Sequence, residues 1–386
     1  MNEHSIIPPS SASIWGAPGG CTGWVLMSQQ YPETEEGEEA KEGTASHEIA
    51  AELIDDNTRG PTVRTVDKFI GKQATNGIVF TEEMYDGAKM YADDVGNVMR
   101  DTSIFGGANF GNEQRLTMPR IHELSFGTTD QFIYDYHNGV LYVWDYKFGY
   151  LVHEAFENWQ TINYVEGIVE KLGIGDQNIT VHIRIAQPRA HHRDGPIHEW
   201  IVKLCDLRAY FNILRDNAAI ALGNNAVIRT GKHCRDCQAR HACPAALKAG
   251  LGLYEVSMRP TPQDLTPFAL GVQLLIVQRA IKQLEYVETG LKEQAKAIIK
   301  RGSIMPNYML ENGVGNLAWT KPTAEIIALG ESLKIDLRNP KKSVVTPTQA
   351  KKLGIDDAVI KAYSKKSNTS LKLVADTGNK AKMFFT

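Results

Sequence analysis

The sequence predicts an α/β protein: a mixed central sheet flanked by helices, followed by a C-terminal helical and α+β lobe. Three observations lead there. Apolar and polar residues alternate over 128–136 and 140–147 on either side of Asn138-Gly139, a hairpin signal because the central positions of a tight turn need the positive φ that Asn and Gly tolerate. Helical periodicity marks 45–55, 81–101 and 154–172. A further alternating run, 178–187, follows the last of these helices and gives the strand–helix–strand order of an α/β chain.

Taken in order, residues 10–23 are rich in Ser, Gly and Pro, with Trp15 inside and Trp24 next, and read as an irregular strap carrying Cys21. The acidic run Glu33 to Glu42 reads as an exposed loop. The helix over 45–55 carries His47. The next, over 81–101, is marked by Met84, Ala88, Met90 and Val95, and a Gly-rich loop from Gly106-Gly107 to Gly111 follows. Strands are expected at 114–126, 128–136 and 140–147, then a helix over 154–172 ending at Gly173 and a strand that Pro188 stops. A helix over 207–222 leads to a cluster of cysteines. Beyond the Pro260/Pro262 break, 266–301 is a long amphipathic pattern that starts a separate lobe, so the chain divides into 1–254 and 255–386. In that lobe 305–320 reads as a hairpin around Asn312-Gly313, and Thr346 or Ser343 caps a short helix beginning Pro347-Thr348-Gln349. No internal repeat is visible.

Composition bounds the rest. A chain of 386 residues, 42 % of them hydrophobic, makes one large or two medium globular domains. No apolar stretch reaches the length of a membrane span, and the N-terminus lacks a basic segment followed by an apolar one, so a cytoplasmic protein with no membrane partner is expected. Charge is uneven: residues 255–386 hold 20 Lys/Arg against 12 Asp/Glu, and residues 1–254 hold 22 against 33. Lys341-Lys342, Lys351-Lys352 and Lys365-Lys366 give the tail either a phosphate-tracking surface or an ordinary solvated one.

Chemistry concentrates on the first hairpin. With a two-residue loop, cross-strand partners sum to 277, so Asp130 faces Lys147, and Asp145 projects from the same side because strand side chains alternate. Two acids on a half-buried sheet face repel unless a cation joins them. Mg²⁺ or Mn²⁺, which take carboxylate, water and phosphate oxygens, suit Asp130 and Asp145. Lys147 would orient or deprotonate the attacking water, or stabilise developing negative charge, and the chemistry is phosphodiester hydrolysis. Glu123 is a nearby carboxylate that could substitute, whereas alternation turns Asp135 to the opposite face. Gln160 and Tyr164 share a helix face.

These residues also carry a resemblance. Gly127-Thr128-Thr129-Asp130, Asp145-Tyr146-Lys147 and Gln160-x-x-x-Tyr164 resemble the PD-(D/E)xK nucleases of the RecB-like exonuclease branch, and Glu42-Gly43-x-x-x-His47 is similar to that branch's first motif. The resemblance implies that His47, Asp130, Asp145 and the Tyr146 carbonyl hold the metal. It makes Lys147 the catalytic lysine and sets Gln160 and Tyr164 beside the DNA backbone. This chain departs from the pattern in having no Pro before Asp130 and Asp rather than Glu as the second acid.

Cys234-x-x-Cys237 and Cys243 place three thiols within ten residues, near His233 and His241, and Cys21 lies far upstream. Five cysteines in a chain this long, with no secretory signal, point to metal rather than disulfides. The pattern resembles the [4Fe-4S] staple of AddB-type and CRISPR-associated RecB-like nucleases, which implies Cys21, Cys234, Cys237 and Cys243 as ligands. Structural Zn²⁺ is the rival, with His241 able to replace Cys21. Cys205 reads as a buried small hydrophobe. No thioredoxin-like βαβ pattern surrounds Cys234 and Cys237.

The C-terminal segment Thr346-Pro347-Thr348-Gln349-Ala350-Lys351-Lys352-Leu353 resembles phage-encoded proteins of the same nuclease superfamily, which implies recombination or replication proteins as partners and the host cytoplasm as the setting. The expectation is a Mg²⁺- or Mn²⁺-dependent deoxyribonuclease, an exonuclease acting on DNA. The alternative is a catalytically inactive nucleic-acid-binding accessory of recombination.

Overall fold

In a computed structural model of the chain the described residues are 5–31, 37–59, 68–101, 109–175, 177–258, 265–338 and 344–375. Gly106-Gly107, Lys341-Lys342 and Ser343 lie outside them. The chain divides into two units, Met1–Gly290 and Leu291–Thr386.

In the first unit a short 3-10 turn, Pro9–Ser11, leads into α1 (Ala12–Trp15) and α2 (Trp24–Gln30), followed by α3 (Glu38–Arg59) and α4 (Glu82–Asp101). Then come β1 (Phe110–Thr117), β2 (Phe126–Asp135), β3 (Val140–Tyr146), α5 (Trp159–Leu172), β4 (Thr180–Ala186), β5 (Ile197–Lys203), α6 (Leu204–Leu222) and α7 (Pro244–Ser257). The five strands lie in sequence order, with β3 and β4 parallel and every other pair antiparallel, so the sheet is mixed and the protein α/β. The parallel pair is joined by α5, as a crossover requires.

Alternation sorts the side chains into two cores. Phe132, Tyr134, Leu141, Val143, Val181 and Ile183 face α5 and α6, and the N-terminal strap fills the same layer with Ile7, Trp15 and Trp24. Ile133, Trp144, Tyr146 and Ala186 face α3 and α4. The strap is fixed by Asn217, whose amide donates to the Gly16 carbonyl (2.7 Å), and Gly16 is needed because a Cβ there would lie 2.5 Å from Leu214.

Several expectations are corrected. The expected strand over 114–126 ends at Thr117, and residues after it turn through hydrogen bonds such as Ile121 N–H to Met118 O (3.0 Å). The described end of the acidic run, Glu38–Glu42, opens α3 rather than a loop, and Gly111 lies within β1. The helix expected from Glu154 begins at Trp159, because Asn158 is extended and its side chain accepts from Thr161 N–H. Strand β5 was not expected at all. Cys205 is exposed, since the apolar run 201–205 ends as strand at Lys203 and α6 opens at Leu204, turning the thiol outward.

α8 (Pro267–Lys300) runs across the unit boundary. The second unit continues with β6 (Tyr308–Trp319), α9 (Thr323–Ser332), α10 (Pro347–Lys352), α11 (Asp357–Tyr363) and β7 (Ser364–Ala375) around Ile326, Leu337, Ala350, Ile355 and Ile360. Thr346 caps α10 and Gln349 completes a reciprocal box. The hairpin expected around Asn312-Gly313 is not formed. One continuous β6 pairs with β7, and Asn312/Gly313 marks a shift in their register, a bulge rather than a turn. Among the described residues no helix is long and apolar enough to cross a membrane.

Candidate active site

Asp130 and Asp145 meet through strand register. The pairs Gln131↔Trp144 through Asp135↔Val140 sum to 275, not 277, so the connection is the four residues Tyr136 to Gly139, and continuation of the register sets Asp145, not Lys147, opposite Asp130. The tight turn is displaced because the Asp135 carboxylate organises a longer one: it accepts from His137 N–H and Asn138 N–H (both 3.1 Å) and from the Asn138 amide (2.7 Å). Of the two turn residues only Gly139 has positive φ (61°). A shift of two residues preserves parity, so both acids remain on one face.

Around Asp130 three potential ligands converge. His47 of α3 brings Nδ1 to 3.9 Å from Asp130 Oδ1 and 3.7 Å from Glu113 Oε1. Donor atoms of His47, Glu113 and Asp130 all lie within 4.8 Å of one another. Glu113 was not foreseen. It stands in register with Asp130 between the pairs Asn112↔Gln131 and Gln114↔Thr129, where its φ of 45° interrupts the ladder and swings its carboxylate into the cluster.

Asp145 is held differently. Its Oδ2 pairs with Lys147 Nζ (3.1 Å), its Oδ1 accepts from Gln160 Nε2 (3.0 Å), and Lys147 Nζ donates to Gln160 Oε1 (3.1 Å), a closed ring of three side chains. Asp130 Oδ2 in turn accepts from Tyr146 N–H (2.6 Å). The Tyr146 side chain fastens α3 to the sheet: its hydroxyl shares a hydrogen bond with Ser46 Oγ (2.8 Å), its ring meets His47 edge-on at 5.1 Å and Tyr91 of α4 stacks on it at 5.0 Å. Tyr164 is buried one turn beyond Gln160, its ring against Gly127, where a Cβ would come to 3.2 Å. That close approach explains the glycine.

Charge in this pocket is strained. Burial raises the Asp130 and Asp145 carboxyls above the usual range, with His47 and Lys147 pulling the other way. Burial disfavours charge on Lys147, but Asp145 and Asp130 outweigh it and raise its pKa. Burial likewise opposes charge on His47, and Asp130 and Glu113 overcome it. The Tyr91 phenol is raised well above its usual value, first by burial and then by Asp130 and Glu113; its oxygen is buried without a hydrogen-bond partner.

Other named residues separate cleanly. Asp135 faces the opposite core and is occupied by its turn, and Glu123 is exposed in the β1–β2 connection. Arg189 is a brace: its guanidinium reaches Glu42 of α3 (2.6 Å) and Glu83 of α4 (3.0 Å) and lies 3.9 Å over the Phe148 ring.

The cysteines form a second site. Cys21, Cys234, Cys237 and Cys243 line one cavity together with Trp24, His233 and Tyr286. His241 does not line it and packs edge-on against Tyr31 at 5.1 Å. Burial raises the thiols of Cys21 and Cys234 and pushes Cys237 up to about 11. Among the described residues the four sulfurs do not make a group within 4.8 Å as the His47 cluster does.

Fold and site therefore define an α/β chain with a partly buried acid–imidazole–lysine cluster spread over β1, β2, β3, α3 and α5 of a mixed-sheet unit. The chain belongs to a family described as a protein of unknown function (DUF2800), which matches residues 4–380. No curated protein matches it.

Proposed function

We propose that this protein is a divalent-metal-dependent nuclease that hydrolyses DNA phosphodiester bonds, acting as an exonuclease in DNA replication or recombination. The observation that carries the reading is the convergence of His47, Glu113 and Asp130 beside the Asp145–Lys147–Gln160 ring. The Asp130 and Asp145 carboxyls, whose charge burial disfavours, stand beside Glu113 at a site that a cation would relieve.

The donor set suits Mg²⁺ or Mn²⁺: Asp130, Glu113 and Asp145 offer hard oxygens and His47 an imidazole nitrogen. When bound, such an ion supplies Lewis acidity and lowers the pKa of water. The chain's own residues do the rest. Gln160 bridges Asp145 and Lys147 and so fixes the ammonium over the acid pair. From there Lys147 reaches a phosphate oxygen as negative charge grows on it, or orients the attacking water. Tyr91 offers an uncommitted hydroxyl to the same space.

Cys21, Cys234, Cys237 and Cys243 would hold a [4Fe-4S] cluster, which supplies a rigid cross-link between the strap and the segment after α6. A single zinc ion, with Zn–S bonds of about 2.3 Å, would draw its thiolates to about 4 Å from one another. All four cysteines line the cavity while His241 does not, so Cys21 rather than His241 would be the fourth ligand of either group.

The test is hydrolysis of end-labelled linear single- and double-stranded DNA by purified protein with Mn²⁺, Mg²⁺ or EDTA, with Lys147→Ala and Asp145→Ala alongside. Loss of cutting with retained DNA binding in both variants is expected. Cutting by both at the parental rate removes the catalytic assignment; a parent that binds DNA but never cuts it marks an inactive accessory protein.

A further inference from the structure

Between Lys147 and Gln160 the chain makes an excursion whose two ends are joined by the 3.1 Å hydrogen bond of those side chains. Residues 148–159 therefore leave the end of β3 and enter α5 at the candidate site. The segment is ordered by buried groups. Gln187, itself 1 % exposed, donates to the Gly149 (3.3 Å) and Leu151 carbonyls and accepts from His153 N–H (3.1 Å), and His198 bonds the His153 carbonyl at 2.7 Å.

Of the six exposed residues on this fixed segment four are apolar, and the other two are Glu154 and Glu157. Tyr150 is 59 % exposed, Leu151 46 %, Val152 42 % and Phe156 62 %. Single apolar residues on a surface need no explanation, but four within seven residues on a pinned loop do. Two are aromatic and have their orientation set from beneath. The Tyr150 ring rests on the Arg189 guanidinium (5.0 Å), which Glu42 and Glu83 immobilise, and Phe156 meets Trp200 edge-on at 5.2 Å. The cations and acids nearby are already used. Arg189 is doubly paired, Glu154 pairs with His192 (3.1 Å), and Glu157 accepts from the Tyr210 hydroxyl (2.7 Å).

A surface with little free positive charge and two presented rings cannot track phosphates; it can stack bases. We propose that the 148–159 segment is a nucleobase-stacking platform, on which Tyr150 and Phe156 hold unpaired bases next to the scissile phosphate, so that the substrate is a single strand or a frayed end rather than a closed duplex. The inference rests on the nuclease reading for its position, and on the exposed aromatic pair for its chemistry. Every base offers a π-face, so the platform is indifferent to sequence. In a duplex those faces are covered by neighbouring base pairs.

Full-length protein in a Lys147→Ala background is titrated, with Mn²⁺, into a fluorescently labelled twelve-residue deoxythymidine strand and into the same strand annealed to its complement. Tyr150→Ala and Phe156→Ala should each weaken single-strand binding about 10-fold, and the pair on the order of 100-fold, since base–aromatic stacking is worth that per ring. Duplex affinity should move less than about 2-fold, and Tyr150→Phe should bind the single strand as the background does. Both side chains are exposed, so thermal unfolding should be unchanged in every variant. Equal single-strand affinity with and without the rings, or no preference for the single strand, overturns the platform. Parental hydrolysis is scored separately: a parent that stacks bases but never cuts refutes the nuclease and keeps the platform, and one that cuts with affinity indifferent to the rings does the reverse.

Discussion

Asp130→Asn should make the metal-free protein more stable and the metal-loaded protein no more stable than that. In continuation of the β2–β3 register Asp130 faces Asp145. Directly opposed strand residues have Cβ atoms about 5 Å apart, and at an effective dielectric near 20 two charges at that distance repel by about 3 kcal/mol. Lys147 at 3.1 Å from Asp145 and His47 at 3.9 Å from Asp130 offset part of this. Burial adds to the cost, and the Asp130 carboxyl is raised on balance. The asparagine side chain keeps an oxygen for the Tyr146 N–H, so the substitution removes charge with little loss of bonding. A gain of about 1–2 kcal/mol follows, a rise in Tm of roughly 3–6 °C for a unit of this size. Its pH dependence has a definite sign. The folded pKa lies above the ordinary 3.8, so the penalty is absent below that value, grows as pH rises through the folded pKa and is constant above it; the advantage of Asp130→Asn must fade toward acid. With Mn²⁺ at about a hundred times its Kd, the parent should gain about 2.7 kcal/mol and the variant little of it. Differential scanning calorimetry at several pH values, with Mn²⁺ and with EDTA, measures both. A variant that is less stable than the parent in EDTA, or that keeps the parent's rise with Mn²⁺, refutes the view of this cluster as a strained cation site.

Three other perturbations probe neighbouring features. Gln160→Ala should lower the rate of hydrolysis by about 100-fold while keeping most of the Mn²⁺-induced rise in Tm, because Gln160 bonds Lys147 and Asp145 and leaves the His47, Glu113 and Asp130 donors in place; an unchanged rate in a gel assay counts against the ring. Cys237→Ser, purified without oxygen, should lose visible absorbance and bound iron and unfold several kcal/mol more easily, since the staple closes a very long loop; colour and iron equal to the parent's would dismiss the cluster. Asp135→Ala should cost about 1–3 kcal/mol through the three turn hydrogen bonds it strands, yet cut DNA at the parental rate at 25 °C; a dead but folded variant would show that the wrong carboxylate has been called structural.

How far the sequence could be read depends on what kind of interaction set each feature. Local periodicity and caps carried well: α4 begins one residue from its expected start, Gly173 ends α5 with φ of 66°, and Thr346 caps α10. The face of Asp130 and Asp145 was legible because it depends only on parity, while their partner was not, because Asp135 side-chain bonding outcompeted the tight Asn-Gly turn. Glu113 was illegible for a related reason. Its role comes from a left-handed kink in an edge strand, which no pattern of neighbours announces. β5 hid because its most buried side chain is a histidine, His198, which masks the alternation. The second Asn-Gly pair misled since the strand that β6 needs lies at 364–375, far along the chain. Cys21 lines one cavity with Cys234, Cys237 and Cys243, a juxtaposition no local pattern announces and which the strap's buried tryptophans bring about.

That strap imposes an order on how the protein is born. Ile7, Trp15 and Trp24 share one core with side chains of α5 and α6, Leu207 and Leu214 among them. Helix α5 leaves the ribosome roughly 140 residues after the tryptophans and α6 roughly 190; at about 5–20 residues per second this part of the cover arrives roughly 7–40 s later. Throughout synthesis of the sheet the strap waits for part of its cover, and a holding chaperone would find its client there.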